Sequence, residues 1–499
     1  MRIFILVILS ILLPIFTNSQ SLNDAINWSF ENESGNSRYM SMGGAFGALG
    51  GNLSALSTNP ASGAVFELSR AGASLIVNNK STKSIFFGNE NNLKSNNSNY
   101  QLGLIYVFQN YGDGNLNKFS VGFNFQSQNN FNEEFKVSGR SNNSIDSFFI
   151  NNSISVNVND ISVNSNESVK GVYKWLGENL GYYAQQAFLG YQSYILDYSS
   201  DSNSFYSLAK YDNGLDINNF LFSTGNNNLT SLNLSWQFKG NFYWGININF
   251  HEVFNEKELR HIESNFDIDS PITDIDFRNY LTTNGNGLSF QGGVIYKAGS
   301  IRFGVSYNSP TYYSFEDNLE QYIKTSSIDS DGIVYTDIVD PMVSNIYQYN
   351  FRSPSKLTFS GASVINNMFL LSFDLISKNY SNSLFKSEFS GVYSDLNNML
   401  KNDLSKVIDY KIGTEFKVNN FSLRAGFKSL SNPHKNGSKT FVESSSLGFG
   451  FNFNKSTIDL AFSNSKLNYN YQLFDTGLID KALIIDKQLN IIFSYNIIF

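Results

Sequence analysis

Arg38-Tyr-Met-Ser-Met-Gly-Gly-Ala-Phe-Gly-Ala-Leu-Gly-Gly-Asn-Leu-Ser-Ala-Leu-Ser-Thr-Asn-Pro-Ala-Ser-Gly-Ala-Val-Phe66 is the stretch on which the reading of this chain turns. It sets Gly43, Gly44, Gly47, Gly50 and Gly51, and an Asn59-Pro60-Ala61 turn, among small apolar residues. A segment with so little side-chain bulk can run through a confined space where backbone must approach backbone. The turn itself has a local cause, because proline presets φ and asparagine favours turns.

Upstream, Met1-Arg2 leads into the apolar run Ile3–Phe16, and Thr17 and Ser19 stand at −3 and −1 of a cleavage site before Gln20. Residues 1–19 therefore read as a signal peptide, the run being shorter than the ~20 residues of a spanning helix. No later run reaches that length. The chain has no cysteine, so no disulfide framework is expected outside the cytoplasm. A formal charge of −7 gives no sign of nucleic-acid binding. Aromatic and charged residues each make up 15%, whereas a soluble domain carries nearer ~25% charged residues. Many rings, few charges and no long apolar run suit a barrel with an apolar outside and a polar inside.

Downstream, period-2 patterning recurs to the C-terminus, as in Val121-Gly-Phe-Asn-Phe-Gln126, Trp244-Gly-Ile-Asn-Ile-Asn-Phe250 and Leu447-Gly-Phe-Gly-Phe-Asn-Phe453. It predicts fourteen strands, near 71–79, 100–109, 117–127, 229–238, 242–252, 286–297, 300–308, 356–365, 368–378, 408–417, 421–429, 444–453, 457–466 and 488–499. Short turns at Tyr111–Leu116, Lys239–Asn241, Ala298–Gly299, Asn366–Asn367, Val418–Asn420 and Asn454–Ser456 alternate with long segments. Those are 80–99, 128–228, 253–285, 309–355, 379–407, 430–443 and 467–487. Sorting of loop lengths to two sides is the pattern of an up-and-down outer-membrane barrel with its short turns periplasmic. The expected fold is all-β, a fourteen-stranded antiparallel transmembrane β-barrel. The last strand ends in Phe493, Tyr495, Ile497 and Phe499 on one face, and the terminal Phe499 resembles the signal read by the barrel-assembly machinery of Gram-negative bacteria.

Several of these segments together resemble the FadL/TodX family of outer-membrane transporters for long-chain fatty acids and other hydrophobic compounds. They are the small-residue stretch with Asn59-Pro60-Ala61, Tyr307-Asn-Ser-Pro310, Ser353-Pro-Ser-Lys-Leu-Thr-Phe-Ser-Gly361, Asp409-Tyr-Lys-Ile-Gly-Thr-Glu-Phe416, Leu423-Arg-Ala-Gly-Phe427 and Ile458-Asp-Leu-Ala-Phe462. The Met-Gly-Gly-Ala-Phe-Gly-Ala-Leu-Gly-Gly sub-pattern is closer to the branch often labelled hemin receptor. Residues 128–285 match poorly. The resemblance implies a signal peptide (1–19), an N-terminal plug (20–69) and a barrel with long extracellular loops (70–499), multi-pass in the outer membrane. It implies passive uptake of a hydrophobic small molecule past a plug or gate formed by Gly43, Gly44, Gly50, Gly51, Asn59, Pro60 and Ala61, with lateral exit near the third strand. Expected partners are that ligand, outer-membrane lipid and the assembly machinery. No cofactor or metal is implied.

Alternation then assigns the lumen. With Ile301, Phe303, Val305 and Leu423 outward, Arg302 and Arg424 point inward, as do Asp374, Lys411, Glu415 and Asp459. A fatty-acid carboxylate in a dry site needs a cation, and arginine offers a bidentate fork. Arg302 and Arg424 are thus ligand-binding candidates; the structural alternative is a charge network with those carboxylates that ties wall to plug. Gly122 in the third strand is a candidate for a kink that opens the wall. In the longest loop, 141–168 reads as mobile and 169–196 has helical spacing, serving either as a groove for ligand or as packing on the barrel mouth. His251, His261 and His434 have no metal-ligand spacing, and no catalytic motif is present, so no enzyme is expected. The alternative function is a non-transporting barrel scaffold or docking subunit for secretion machinery or a surface partner.

Overall fold

The computed structural model describes residues 20–499 apart from 33, 111–113, 367, 388–390 and 438–439. The expected signal peptide lies outside the described residues, as do parts of two expected short turns. Fourteen antiparallel strands close on themselves. They are β1 (Arg70–Phe86), β2 (Asn89–Gln109), β3 (Leu116–Asn130, continued by Glu133–Ser141), β4 (Leu215–Phe238), β5 (Phe242–Ser264), β6 (Ile272–Ala298) and β7 (Ile301–Asn308, continued by Tyr312–Ile328). There follow β8 (Asn345–Arg352, continued by Lys356–Ile365), β9 (Phe369–Asn379), β10 (Lys406–Val418), β11 (Phe421–Ser431), β12 (Thr440–Phe453), β13 (Ser456–Gln472) and β14 (Lys481–Ile498). The ladder from Arg70↔Ile498 to Ile85↔Leu483 joins first strand to last, leaving no open edge.

Every expected strand is present, but many run far past their expected ends. β6 alone has 27 residues, against the ~9–11 that cross a bilayer. The extra lengths carry few outward apolar side chains, as in Lys80–Asn99, so hydrophobic period-2 patterning fades although the ladder continues to Phe86↔Asn89. Segments read as loops at 80–99, 253–285 and 309–355 are therefore largely hairpin. On the short-turn rim, outward rings follow one another: Tyr106 to Phe108 at 5.0 Å, Phe108 to Phe119 at 5.6 Å, Phe119 to Trp236 at 5.7 Å and Trp236 to Trp244 at 4.3 Å. Among the described residues no helix is long and apolar enough to cross a membrane, which says nothing of crossing by strands.

At the opposite end the long loop is a helical cap. The expected helix divides at Gly181, whose φ of 91° breaks it, into Val169–Asn179 and Tyr182–Gln192. The stretch expected to be mobile instead contains a helix, Asp146–Ser153, and a helical turn, Val158–Ile161. Phe148, Phe149, Tyr173 and Phe188 are fully buried and pack with Phe277 of β6 and Phe135 of β3 in one apolar cluster. The helices thus pack on the barrel mouth. A buried polar joint fastens them: Glu263 accepts from Ser144 Oγ (2.6 Å) and Ile145 N (2.7 Å), and His261 Nε2 lies 2.9 Å from it.

Phe149 stands edge-on to Phe277 at 5.4 Å, and a Cβ on Gly190 would meet Phe149 Cβ at 2.7 Å. Phe149→Ala should remove about 3–5 kcal/mol of cap stability. Limited proteolysis checks this: cleavage should appear within 141–211 while the barrel keeps its compact, unheated migration on a denaturing gel.

Candidate functional site

The site is the barrel interior, and the N-terminal segment occupies it. Its first helix, Leu22–Ser29, starts on a capping box in which Ser21 Oγ accepts from Asp24 N (3.3 Å) and Asp24 Oδ2 accepts from Ser21 N (2.8 Å). Trp28 of this helix stacks on Phe315 of β7 at 4.9 Å and meets Phe131 edge-on at 5.3 Å. A short helix, Ser37–Ser41, is capped by Asn36, and two 3₁₀ turns follow at Ser54–Ser57 and Pro60–Val65. Gly43, Gly44, Gly50 and Gly51 take φ values of 63°, 74°, 61° and 65°, the left-handed region that glycine enters without penalty. They let the chain reverse between these pieces.

The segment meets the wall backbone to backbone, and the wall is built for it. A Cβ on Gly413 of β10 would meet the Met42 carbonyl oxygen at 2.5 Å, and one on Gly245 of β5 would meet the Pro60 carbonyl oxygen at 2.5 Å. Closer still are Gly426 of β11 against Gly43 N and Gly304 of β7 against the Gly47 oxygen. Polar bonds complete the ring of contacts. Ser37 Oγ lies 2.8 Å from Ser494 Oγ on β14. Asp374 Oδ2 of β9 accepts from Phe46 N and Gly47 N at 3.1 Å each. Asn247 of β5 donates to the Leu56 oxygen at 2.7 Å, and Gln291 of β6 donates to the Ser57 and Thr58 oxygens at 3.0 Å each. Asn59 Oδ1 accepts from Ala61 N (3.1 Å), while Asn59 Nδ2 donates to the Gly47 oxygen (2.7 Å) and the Val294 oxygen (3.1 Å). Pro60 begins the 3₁₀ turn and its oxygen accepts from Asn233 of β4 at 2.9 Å. Asn59-Pro60-Ala61 is therefore both a turn and a fastening.

Arg302, Arg424, Asp374, Lys411, Glu415 and Asp459 all face inward. Arg424 Nε contacts Glu415 at 2.6 Å and Nη1 contacts Asp459 at 2.6 Å, and Glu415 also takes a two-pronged bond from Arg38 of the segment at 2.8 and 3.0 Å. Arg302 Nη1 donates to the Leu49 oxygen at 2.6 Å. Both arginines are thus engaged with segment or wall. A second charged clamp escaped the sequence reading. Glu31 pairs with Lys378 of β9 at 2.8 Å and with Lys356 of β8. Burial alone would raise the Glu31 carboxyl, but the two lysines outweigh it and hold it well below the usual carboxylate range. A lone glutamate in an irregular stretch gives no periodic signal that could have marked it.

Glu31 lines two small spaces of about 20 Å³ each. Tyr39, Gly43, Gly44 and Lys411 line the first; Gln128, Asn249, His251, Asn308, Ser353 and Lys356 are among the residues lining the second. Neither is lined by Arg302 or Arg424. At the second space the wall is irregular. β7 and β8 both break there at prolines, Pro310 and Pro354, which have no N–H to give a ladder, and Thr311 and Ser353 bridge the breaks (Thr311 N to Ser353 Oγ, 2.9 Å). The β2–β3 ladder stops at Leu102↔Phe125 although β2 continues to Asn89. Just beyond, Gln126 to Asn129 are buried in succession and the β3–β4 register shifts between Ser127 and Asn129. The wall discontinuity thus falls here, whereas Gly122 sits within a continuous ladder opposite Ile105. Phe499 N donates to the Ser69 oxygen at 3.1 Å beside the barrel seam.

A closed fourteen-stranded antiparallel barrel with its lumen filled by its own N-terminal residues defines the class of fold. Structural comparison agrees with the resemblance read from the sequence. A Pseudomonas aeruginosa FadL homologue matches with a TM-score of 0.55 and 11% identity, over 94% of this chain and 100% of that one. The Pseudomonas putida toluene transporter TodX matches at 0.51 and 15% identity, over 94% and 100%. The chain has the fold of the FadL/TodX family. No protein-family model and no curated protein matches the sequence.

Gly426→Ala should unseat the segment, because the added methyl meets fixed backbone; overpacking of this kind removes about 1–3 kcal/mol. The temperature at which the folded band is lost on a denaturing gel should fall. Gly361→Ala, on the same barrel but with nothing near its would-be Cβ, should leave it unchanged.

Proposed function

We propose that this protein is an outer-membrane channel for passive uptake of hydrophobic small molecules, with long-chain fatty acids as its substrate class. The observation that carries the reading is the pairing of a filled, glycine-fitted lumen with a discontinuity in the wall beside an internal space. Residues 20–69 act as the plug and residues 70–499 as the barrel, with the outward apolar strand faces and the ring of aromatics in lipid. The structural neighbours named as a FadL homologue and a toluene transporter support this reading.

In this account Arg302 and Arg424 fasten the plug rather than the ligand. The clamp of Glu31 between Lys356 and Lys378 is the part of the plug next to both internal spaces, and a ligand carboxylate reaching Lys356 or Lys378 competes with Glu31 for them. Gly43, Gly44, Gly50 and Gly51 supply the hinges, and Asn59, Pro60 and Ala61 the fixed end. Exit is lateral, through the wall beyond Leu102↔Phe125. Phe499 serves assembly, and no step calls for catalysis.

Uptake of labelled long-chain fatty acid by cells tests this. Loss on gene deletion and impairment in an Asn59→Ala/Pro60→Ala variant are expected, while removal of residues 20–69 should give a barrel that inserts but leaks small solutes. Uptake indifferent to deletion would remove fatty acids as the substrate and turn attention to a scaffold that holds a protein partner.

A further inference from the structure

At the cap end of the barrel the wall leaves a strand edge open. A short strand, Val334–Val339, pairs along one side with residues 323–328 of β7. Among the described residues no strand pairs with its other side, and β8, which follows it, meets Leu384–Lys386 only from Asn350 to Arg352. Val334, Ile338 and Ile346 of this hairpin are 64%, 58% and 60% exposed. Lipid does not account for them. The outward positions of β7 below them include Glu316, Asn318, Glu320 and Lys324, so the lipid-type pattern has already ended. Val334 stands opposite Ile328, the far end of a 17-residue piece of β7, or roughly 55 Å of strand against a bilayer core of about 30 Å. The hairpin 312–352 also carries seven carboxylates against two cations, Lys324 and Arg352. Four of the seven, Asp329, Asp331, Asp337 and Asp340, flank the open edge, and none is in an ion pair among the described residues.

We propose that the open edge of Val334–Val339 is a docking site for an extended, lysine- or arginine-bearing segment of a partner protein, which adds to the wall as one further strand. The inference goes beyond uptake and stands without it. A strand edge presents N–H and C=O groups already aligned for a ladder. Val334 and Ile338 give an added strand apolar side chains to pack on, and the surplus of carboxylates attracts a cationic segment. A second copy of this chain is the poorer occupant. Symmetric pairing of the strand with itself turns about Thr336 or about Asp337. Two hairpins of the same negative charge meet in both, and the second sets Asp337 directly opposite its own copy.

Fluorescence anisotropy with the purified full-length protein and labelled synthetic peptides tests this. The probes are Lys-Val-Lys-Val-Lys-Val-Lys, the same peptide with glutamate for lysine, and the same peptide with proline for valine, which keeps the charge but cannot hold a ladder. The lysine–valine peptide should bind at least about tenfold more tightly than either control. Its affinity should fall in Val334→Lys/Ile338→Lys and in Asp331→Lys/Asp337→Lys proteins. Equal binding of the glutamate peptide overturns the charge assignment, and equal binding of the proline peptide overturns strand addition. Failure of the wild-type protein to bind the lysine–valine peptide at millimolar concentration overturns the site, and needs no variant that folds. Self-association that rises with protein concentration and is lost in Val334→Lys/Ile338→Lys makes a second copy the occupant and overturns the basic partner.

Discussion

The structure depends on one constraint: the N-terminal segment and the barrel wall touch through their backbones. Side chains cannot occupy both surfaces at once, so glycine stands on the wall at Gly245, Gly304, Gly413 and Gly426 wherever the segment presses against it. The consequence for stability is mutual. The segment's N–H and C=O groups are buried and must find partners, and the wall provides them from β4, β5, β6, β7, β9 and β14. Emptying the lumen would strand those inward amides and hydroxyls together with the charged groups beside them.

The charges fit the same scheme. An ion pair buried in a barrel is weak support for stability by itself, because desolvation offsets most of the attraction. Its use here is positional. Glu415 holds Arg38 from the segment and Arg424 from the wall at once, and Asp459 takes the remaining face of Arg424. Glu31 stands between Lys356 and Lys378 in the same manner. Breaking either arrangement by losing one member leaves an uncompensated charge, so the segment is held in one register. In the uptake function proposed above, a ligand carboxylate relaxes the Glu31 clamp without leaving a charge bare.

Much of this was legible in the sequence. Strand positions such as 242–252 and 421–429 could be read because lipid-type side chains alternate with small polar ones, and the same alternation put Arg302, Arg424 and Asp459 inside. The small-residue stretch announced a tight path for the segment. What escaped were features without a period. β6 reaches back to Ile272 through a stretch whose outward face carries Asp274, Asp276 and Arg278, while Ile275 and Phe277 turn inward to the cap cluster. Its upper half therefore lacks the outward apolar pattern and reads as loop. The helix at Asp146–Ser153 is too short and too polar to register, yet Phe148 and Phe149 bury it. Wall glycines look like ordinary barrel glycines until the segment opposite them is known, and Gly122 drew notice as a kink although the break lies at Ser127–Asn129. Glu31 and its two lysines are far apart in sequence and meet only in the folded chain.

The central claim is that the N-terminal segment lies inside the folded barrel against its last strand. Ser37 and Ser494 place their side-chain oxygens 2.8 Å apart, and the chain contains no cysteine of its own. A Ser37→Cys/Ser494→Cys protein, isolated folded and alkylated without reduction, should carry a single internal disulfide, because the two side chains meet. It should yield free thiols only after reduction. Two thiols that stay reduced and react with a maleimide in the folded barrel would contradict the account.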